Sequence, residues 1–186
     1  MSESDDATSA SRAVTRSPEA AEAIIGAVDV HYRDDGSATA ALVVFDNPAD
    51  EEVTFEGVAH IAETAAYEPG SLYLRELPCI AAVLELGPPL DLLIVDGYAT
   101  LDPDGRAGLG ARAYDEFGVP TIGVAKTPFR TATHAVPVTR GTASRPLYVT
   151  TAGTDTTQAA LMVASMAGNH RIPTLLARVD RLARGS

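Results

Sequence analysis

Residues 90–96 read LDLLIVD, an apolar run broken only by Asp91 and enclosed by Pro88 and Pro89 on one side and Gly97 on the other. A strand whose apolar residues do not alternate with polar ones has no face to offer to water, so it belongs in mid-sheet with cover on both sides. That requirement favours layered α/β folds, in which helices pack on the faces of a sheet. The run ends on a charge, Asp96. A carboxylate at the carboxyl end of a buried strand either caps a turn or faces a ligand, and the run alone leaves both readings open.

The flanking segments agree with such a fold. AIIGAVDVHY (23–32), SATAALVVFD (37–46) and EVTFEGVAHI (52–61) are rich in β-branched and aromatic residues, and RDDGS between the first two carries the Asp-Gly signature of a tight hairpin. They predict an antiparallel meander. SLYLRELPCIAAVLELG (71–87) places Leu72, Ile80, Val83 and Leu84 on one side at helical spacing, with Pro78 either disturbing the first turns or starting the helix proper. GRAGLGARAYDEFG is a loop leading into a helix; it has neither the spacing nor the lysine of a phosphate-binding loop. VPTIGVA and RPLYVTT are two further buried strands, and DTTQAALMVASMAG is a helix with Asp155 as its cap. The sum is a mixed sheet, a three-strand antiparallel meander plus parallel strands, flanked by helices.

At 186 residues, 46% of them hydrophobic, the chain suffices for one domain with its own core. Residues 1–20, small, polar and partly acidic, read as a disordered tail, leaving 21–186 as the domain. A single cysteine, Cys79, excludes a disulfide framework and a zinc cluster and points to a reducing cytoplasm. No apolar run reaches membrane-spanning length, and the N-terminus lacks the regions of a signal peptide. The net charge of −11 argues against non-specific nucleic-acid binding, though not against a local basic groove. Among 14 basic residues only Lys126 is lysine.

Three carboxylates stand where this architecture can bring them together. Asp29 lies inside the first strand between apolar neighbours, where a charge needs a partner or a cation. Asp96 ends the central strand, and Glu76 opens the helical stretch between them in sequence. If the first strand lies beside the central one, Asp29 and Asp96 face each other. Like charges that close repel unless a divalent cation neutralises them. Magnesium suits an all-oxygen site of this kind and can activate water for phosphodiester hydrolysis. Each residue also has a plainer reading: Asp96 as a turn residue, Asp29 as a hydrogen-bonded structural acid, Glu76 as the surface partner of Arg75.

In order, GAVDVHY, YEPGSLYLRE, DLLIVDGY, PTIGVAK, RPLYVTTAGTD and RIPTLLARVD resemble the motifs of the endonuclease V family, the deoxyinosine 3′ endonucleases, across about residues 22–182. The resemblance implies an RNase H-like fold, Mg²⁺ or Mn²⁺ held by Asp29, Glu76 and Asp96, and Lys126 as a catalytic-region lysine. It also implies a wedge at Tyr67 and Pro69 that opens the strand, and a base pocket at Gly70, Leu72 and Gly97. The substrate it implies is inosine-containing DNA or RNA. The chain is expected to act as a monomer.

The chain departs from the family pattern at several places. Where the family's "GH" pair follows the PLYV strand, this chain has Gly153 and Thr154, and Asp155 substitutes only if the loop shifts by one residue. Tyr98, Ala99 and Asp102 replace family residues after Asp96, Thr127 replaces a second lysine, and Glu68 puts a negative charge in the wedge. These changes leave a second expectation, a divergent member with little cleavage that acts as a nucleic-acid-binding or regulatory protein. A rim of Arg75, Arg106, Arg130, Arg140 and Arg145 around the carboxylates would favour the nuclease.

Overall fold

The computed structural model describes residues 23–66, 69 and 71–185; the expected tail at 1–20, and Tyr67 and Gly70 of the wedge and pocket, lie outside the described residues. The strands are β1 (Ile25–Tyr32), β2 (Ala38–Phe45), β3 (Phe55–Ile61), β4 (Leu92–Asp96), β5 (Thr121–Ala125), β6 (Val136–Val138) and β7 (Leu147–Ala152). The helices are α1 (Tyr73–Leu84), α2 (Leu109–Phe117), α3 (Thr156–Ser165) and α4 (Thr174–Arg184). The strands form one seven-stranded sheet in the order β3-β2-β1-β4-β5-β7-β6.

The meander is present, with β1 antiparallel to β2 and β2 to β3. Beyond it, β4 runs parallel to β1 and β5 parallel to β4, each joined through a helix, as parallel neighbours require. The third expected strand, β7, returns antiparallel to β5. The connection between them carries only the short strand β6, with no helix to carry the chain back to the same end of the sheet.

Leu93, Ile94 and Val95 of β4 are each no more than 1% exposed, as the unbroken run demands. Alternation divides the core in two. Ala27, Val43, Phe45, Ile94 and Ile122 face α3 and α4, while Val28, Leu42, Val44, Leu93 and Val95 face α1 and α2. Helix α1 includes Pro78, and its first turn is tightened by bonds from Leu74 N to Ser71 O and from Arg75 N to Leu72 O. Leu72 sits at the N-terminal boundary of α1 and is 43% exposed, so it does not join Ile80 and Val83 in the core. No helix among the described residues is long and apolar enough to cross a membrane.

Candidate active site

The parallel ladder between β1 and β4 runs from Ile25↔Leu92 to Val28↔Val95 and stops there. The next residue on each strand is a carboxylate, Asp29 and Asp96, so the two acids stand side by side where the strands part. Strand alternation turns both toward the α4 face, with Ala27 and Ile94 behind them. Gly97 follows with φ of +120°, a conformation that favours glycine, and donates its N–H to Val124 O. The chain thereby turns sharply over β5.

Gly123 of β5 makes room for that turn: a Cβ there would lie 2.3 Å from Ala99 N and 2.6 Å from Gly97 O. The glycines of GRAGLG serve the same packing. Gly108 and Gly110 donate to the carbonyls of Ala99 and Tyr98, and neither could carry a side chain against that loop. Ala99, where the family pattern has another residue, is fully buried beneath them.

Glu76 comes from α1, on the opposite face of the sheet. With Asp29, Asp96 and the apolar side chains of Ile80 and Leu109 it lines one cleft at the strand ends. Burial first, and then the charges of Asp96 and Asp29, push the Glu76 carboxyl up to about 7. Burial and the charges of Asp96 and Asp180 push Asp29 up to about 6. Lys126, just past the end of β5, places Nζ 2.6 Å from Asp96 Oδ2. Burial lowers its pKa, but the Asp96 hydrogen bond and the charges of Asp96, Asp29 and Asp180 outweigh this and hold it raised. The backbone of Lys126 is fixed from below, because Arg171 Nη2 donates to Lys126 O and, at 2.8 Å, to Pro146 O.

A fourth acid was not singled out from the sequence. Asp180 of α4 lines a second cavity with Asp29, Asp96 and Lys126. Hydrogen bonds from Arg184, at 3.0 and 3.2 Å, hold its carboxyl below the usual range against partial burial; the charges of Arg184 and Lys126 and a bond with Asp29 assist. The signal lay in RIPTLLARVD read at helical period. Asp180 falls four residues after Leu176, which packs against the core, so it borders the apolar stripe of α4. Asp155 is the cap of α3 that its sequence context predicts, and it does not substitute at the site. Its side chain accepts from Gln158 N at 2.8 Å and caps α3, so it is committed to the helix end.

The five arginines that would form a rim have different roles. Arg140 is buried and donates to the carbonyls of Met166, Ala167, Gly168 and His170, stitching the α3–α4 connection. Arg75 lies over the Tyr32 ring at 4.0 Å, and Arg106 pairs with Asp102 at 3.2 Å. Arg130 and Arg145 are exposed. Of the wedge and pocket positions, Pro69 and Leu72 are exposed, and Gly97 lies directly after Asp96.

Asp29, Glu76 and Asp96 form an all-oxygen donor set, the chemistry that hard divalent cations take. Burial, and after it mutual repulsion, raises Asp29 and Glu76, and such a cation would offset both. In the present side-chain arrangement, no three histidine, cysteine, aspartate or glutamate side chains among the described residues stand close enough together to hold a metal ion. The Lys126 ammonium supplies the counter-charge to Asp96 instead.

The family profile "Endonuclease V" matches residues 8–156. Endonuclease V of Streptomyces coelicolor is 40% identical over 121 residues, 64% of this chain; the chain spans about half of that relative, 51% of its length. Endonuclease V of Streptomyces avermitilis is 30% identical over 84% of this chain and 77% of its own, and a solved endonuclease V structure from that organism superposes with a TM-score of 0.73, 29% identity, and coverage of 87% and 80%. Endonuclease V of Ciona intestinalis, solved in complex with a DNA containing an inosine, shares the fold at a TM-score of 0.75 and 18% identity over 87% of this chain and 84% of its own. The sheet order, the helices on both faces and these matches together show that the chain has the RNase H-like α/β fold and belongs to the endonuclease V family.

Proposed function

We propose that the protein is a metal-dependent endonuclease that hydrolyses a phosphodiester bond 3′ to inosine in DNA or RNA. The observation that carries this reading is the pair Asp29 and Asp96 at the parting of two parallel strands, with Glu76 reaching the same cleft from α1. Asp29, Glu76 and Asp96 would hold Mg²⁺ or Mn²⁺. Bound there, the cation would supply neutralisation of phosphate charge and an acidified water.

The chain's own residues do the rest. Lys126, whose Nζ lies 2.6 Å from Asp96 Oδ2, would direct its ammonium at the phosphate, where developing negative charge is best stabilised. Asp180, kept ionised by Arg184, stands beside Asp29 and is one of the charges that raise the Asp29 carboxyl. Tyr67 and Pro69 would part the strand, and the backbone at Gly70, Leu72 and Gly97 would receive the extruded base, whose unstacking costs a few kcal/mol. The reading keeps the chain a cytoplasmic monomer.

A second reading, a member with lost cleavage that binds nucleic acid or regulates, is favoured by the wide spacing of the carboxylates and the net charge of −11. An inosine-containing strand incubated with Mg²⁺ or Mn²⁺, parent against Asp96→Ala, separates the two. A nick made by the parent alone supports the nuclease. No nick at any salt up to molar KCl, with no magnesium or manganese uptake by calorimetry, leaves the second reading.

A further inference from the structure

Phe129 is 44% exposed, whereas Phe45, Phe55 and Phe117 are packed into or against the core. A single exposed ring is ordinary on a loose loop. This loop is not loose. The Tyr98 hydroxyl accepts the Phe129 N–H at 3.0 Å and donates to Thr127 O at 2.8 Å, and the two rings lie 5.9 Å apart at 47°. Thr131 Oγ1 donates to Leu101 O at 2.6 Å, Arg106 Nη2 donates to Thr131 Oγ1 at 3.2 Å, and Thr100 bonds His134 Nε2 at 2.7 Å. The loop after β5 is thus fastened along its length to the loop after β4.

The position of the ring gives this rigidity a purpose. Tyr98 is two residues beyond Asp96 and Phe129 three beyond Lys126, so the aromatic pair stands on the two loops that leave the carboxylate cleft. Arg130 is the next residue in the chain, and Arg106, itself paired with Asp102, reaches the same loop through its bond to Thr131. Arg130 is exposed and makes no ion pair among the described residues. A fixed ring with cations at its edge is the combination that binds single-stranded nucleic acid, the ring stacking on a base while the cations track the phosphates.

We propose that Phe129, held by Tyr98 and flanked by Arg106 and Arg130, is a stacking platform for an unpaired nucleobase next to the scissile phosphate. The proposal rests on the nuclease reading for the position of that phosphate, but not for the binding itself. Stacking on one base is worth about 1–3 kcal/mol by alanine substitution, so Phe129→Ala weakens strand binding on the order of 10-fold and Phe129→Trp preserves it.

Because the chain has no tryptophan, Phe129→Trp also installs a unique fluorophore on the platform. The test titrates an inosine-containing single strand into the parent, Phe129→Ala and Phe129→Trp proteins in EDTA, so that no cleavage is needed, and follows anisotropy of the strand and tryptophan emission. Equal thermal midpoints of the three proteins establish that the fold is intact. Quenching of Phe129→Trp at the affinity of the parent, with a 10-fold weaker Phe129→Ala, supports the platform, whether or not the parent later nicks the strand. Unchanged affinity in Phe129→Ala together with unquenched tryptophan overturns it, and does so without touching the nuclease reading. A tryptophan signal that depends on protein concentration alone assigns the ring to contact between copies of the chain and also overturns it.

Discussion

Asp29→Asn is expected to make the metal-free protein more stable at neutral pH while removing a residue that the nuclease needs. The Asp29 carboxyl rises from its ordinary 3.8 to about 6 through burial and the charges of Asp96 and Asp180. Since the folded value is the higher one, the folded state binds more protons than the unfolded state between these values. Stability therefore falls as pH rises from about 4 to about 6, and the loss is complete above 6. The difference corresponds to roughly 3 kcal/mol. Asparagine also has to be desolvated, so the expected gain is about 2 kcal/mol at pH 8. For a domain of this size that is a rise of roughly 4–8 °C in Tm. The assay is thermal unfolding followed by circular dichroism, in EDTA at low salt, from pH 4 to pH 8. The variant should match the parent near pH 4 and diverge upward above pH 5. Glu76, pushed to about 7, keeps a residual slope at higher pH in both proteins. Added Mg²⁺ at pH 8 should narrow the gap by stabilising the parent. A variant no more stable than the parent at pH 8, or one stabilised equally at both ends, would refute the view that burial and neighbouring charge penalise the Asp29 carboxylate.

Lys126→Met should lower cleavage by about 10²–10³-fold in kcat through the loss of one charge facing the transition state. Both partners of its ion pair are about 40% exposed, so stability should change by less than ~1 kcal/mol, as urea unfolding can check. Gly123→Ala drives a Cβ against the backbone of residues 97–99 and should cost about 1–3 kcal/mol, with a fall in kcat as the Asp96 loop shifts. A variant as stable and active as the parent would show that the loop has another place to lie. Asp155→Ala should cost about 1 kcal/mol in urea unfolding through loss of the α3 cap, and leave cleavage and metal uptake unchanged. Reduced metal uptake in that variant would return Asp155 to the site.

Most of the site was legible because strands declare their ends in sequence. LDLLIVD names both a buried strand and the acid that terminates it, and GAVDVHY sets Asp29 one step beyond an apolar stretch. Those two facts need only one piece of topology, β1 beside β4, to become a pair of facing carboxylates. Arg140 shows the opposite case. Nothing in its neighbours distinguishes a rim arginine from one buried against a ring of carbonyls, because the partners lie 26 to 30 residues away on another connection. Asp180 is similar, a charge on an amphipathic helix whose docking angle brings it to Asp29.

The amino-acid sequence by itself determined the sheet-and-helix alternation, the central strand and the three acids of the cleft, since apolar period and strand length are local properties of the chain. Tertiary structure alone decided that β7 returns antiparallel, that Arg140 is spent on backbone carbonyls, and that Asp180 stands in a cavity beside Asp29. The physical reason is that a charged side chain's role is set by whichever opposite charge or unpaired backbone group the packed layers bring within ~4 Å of it, and that neighbour is generally remote along the chain.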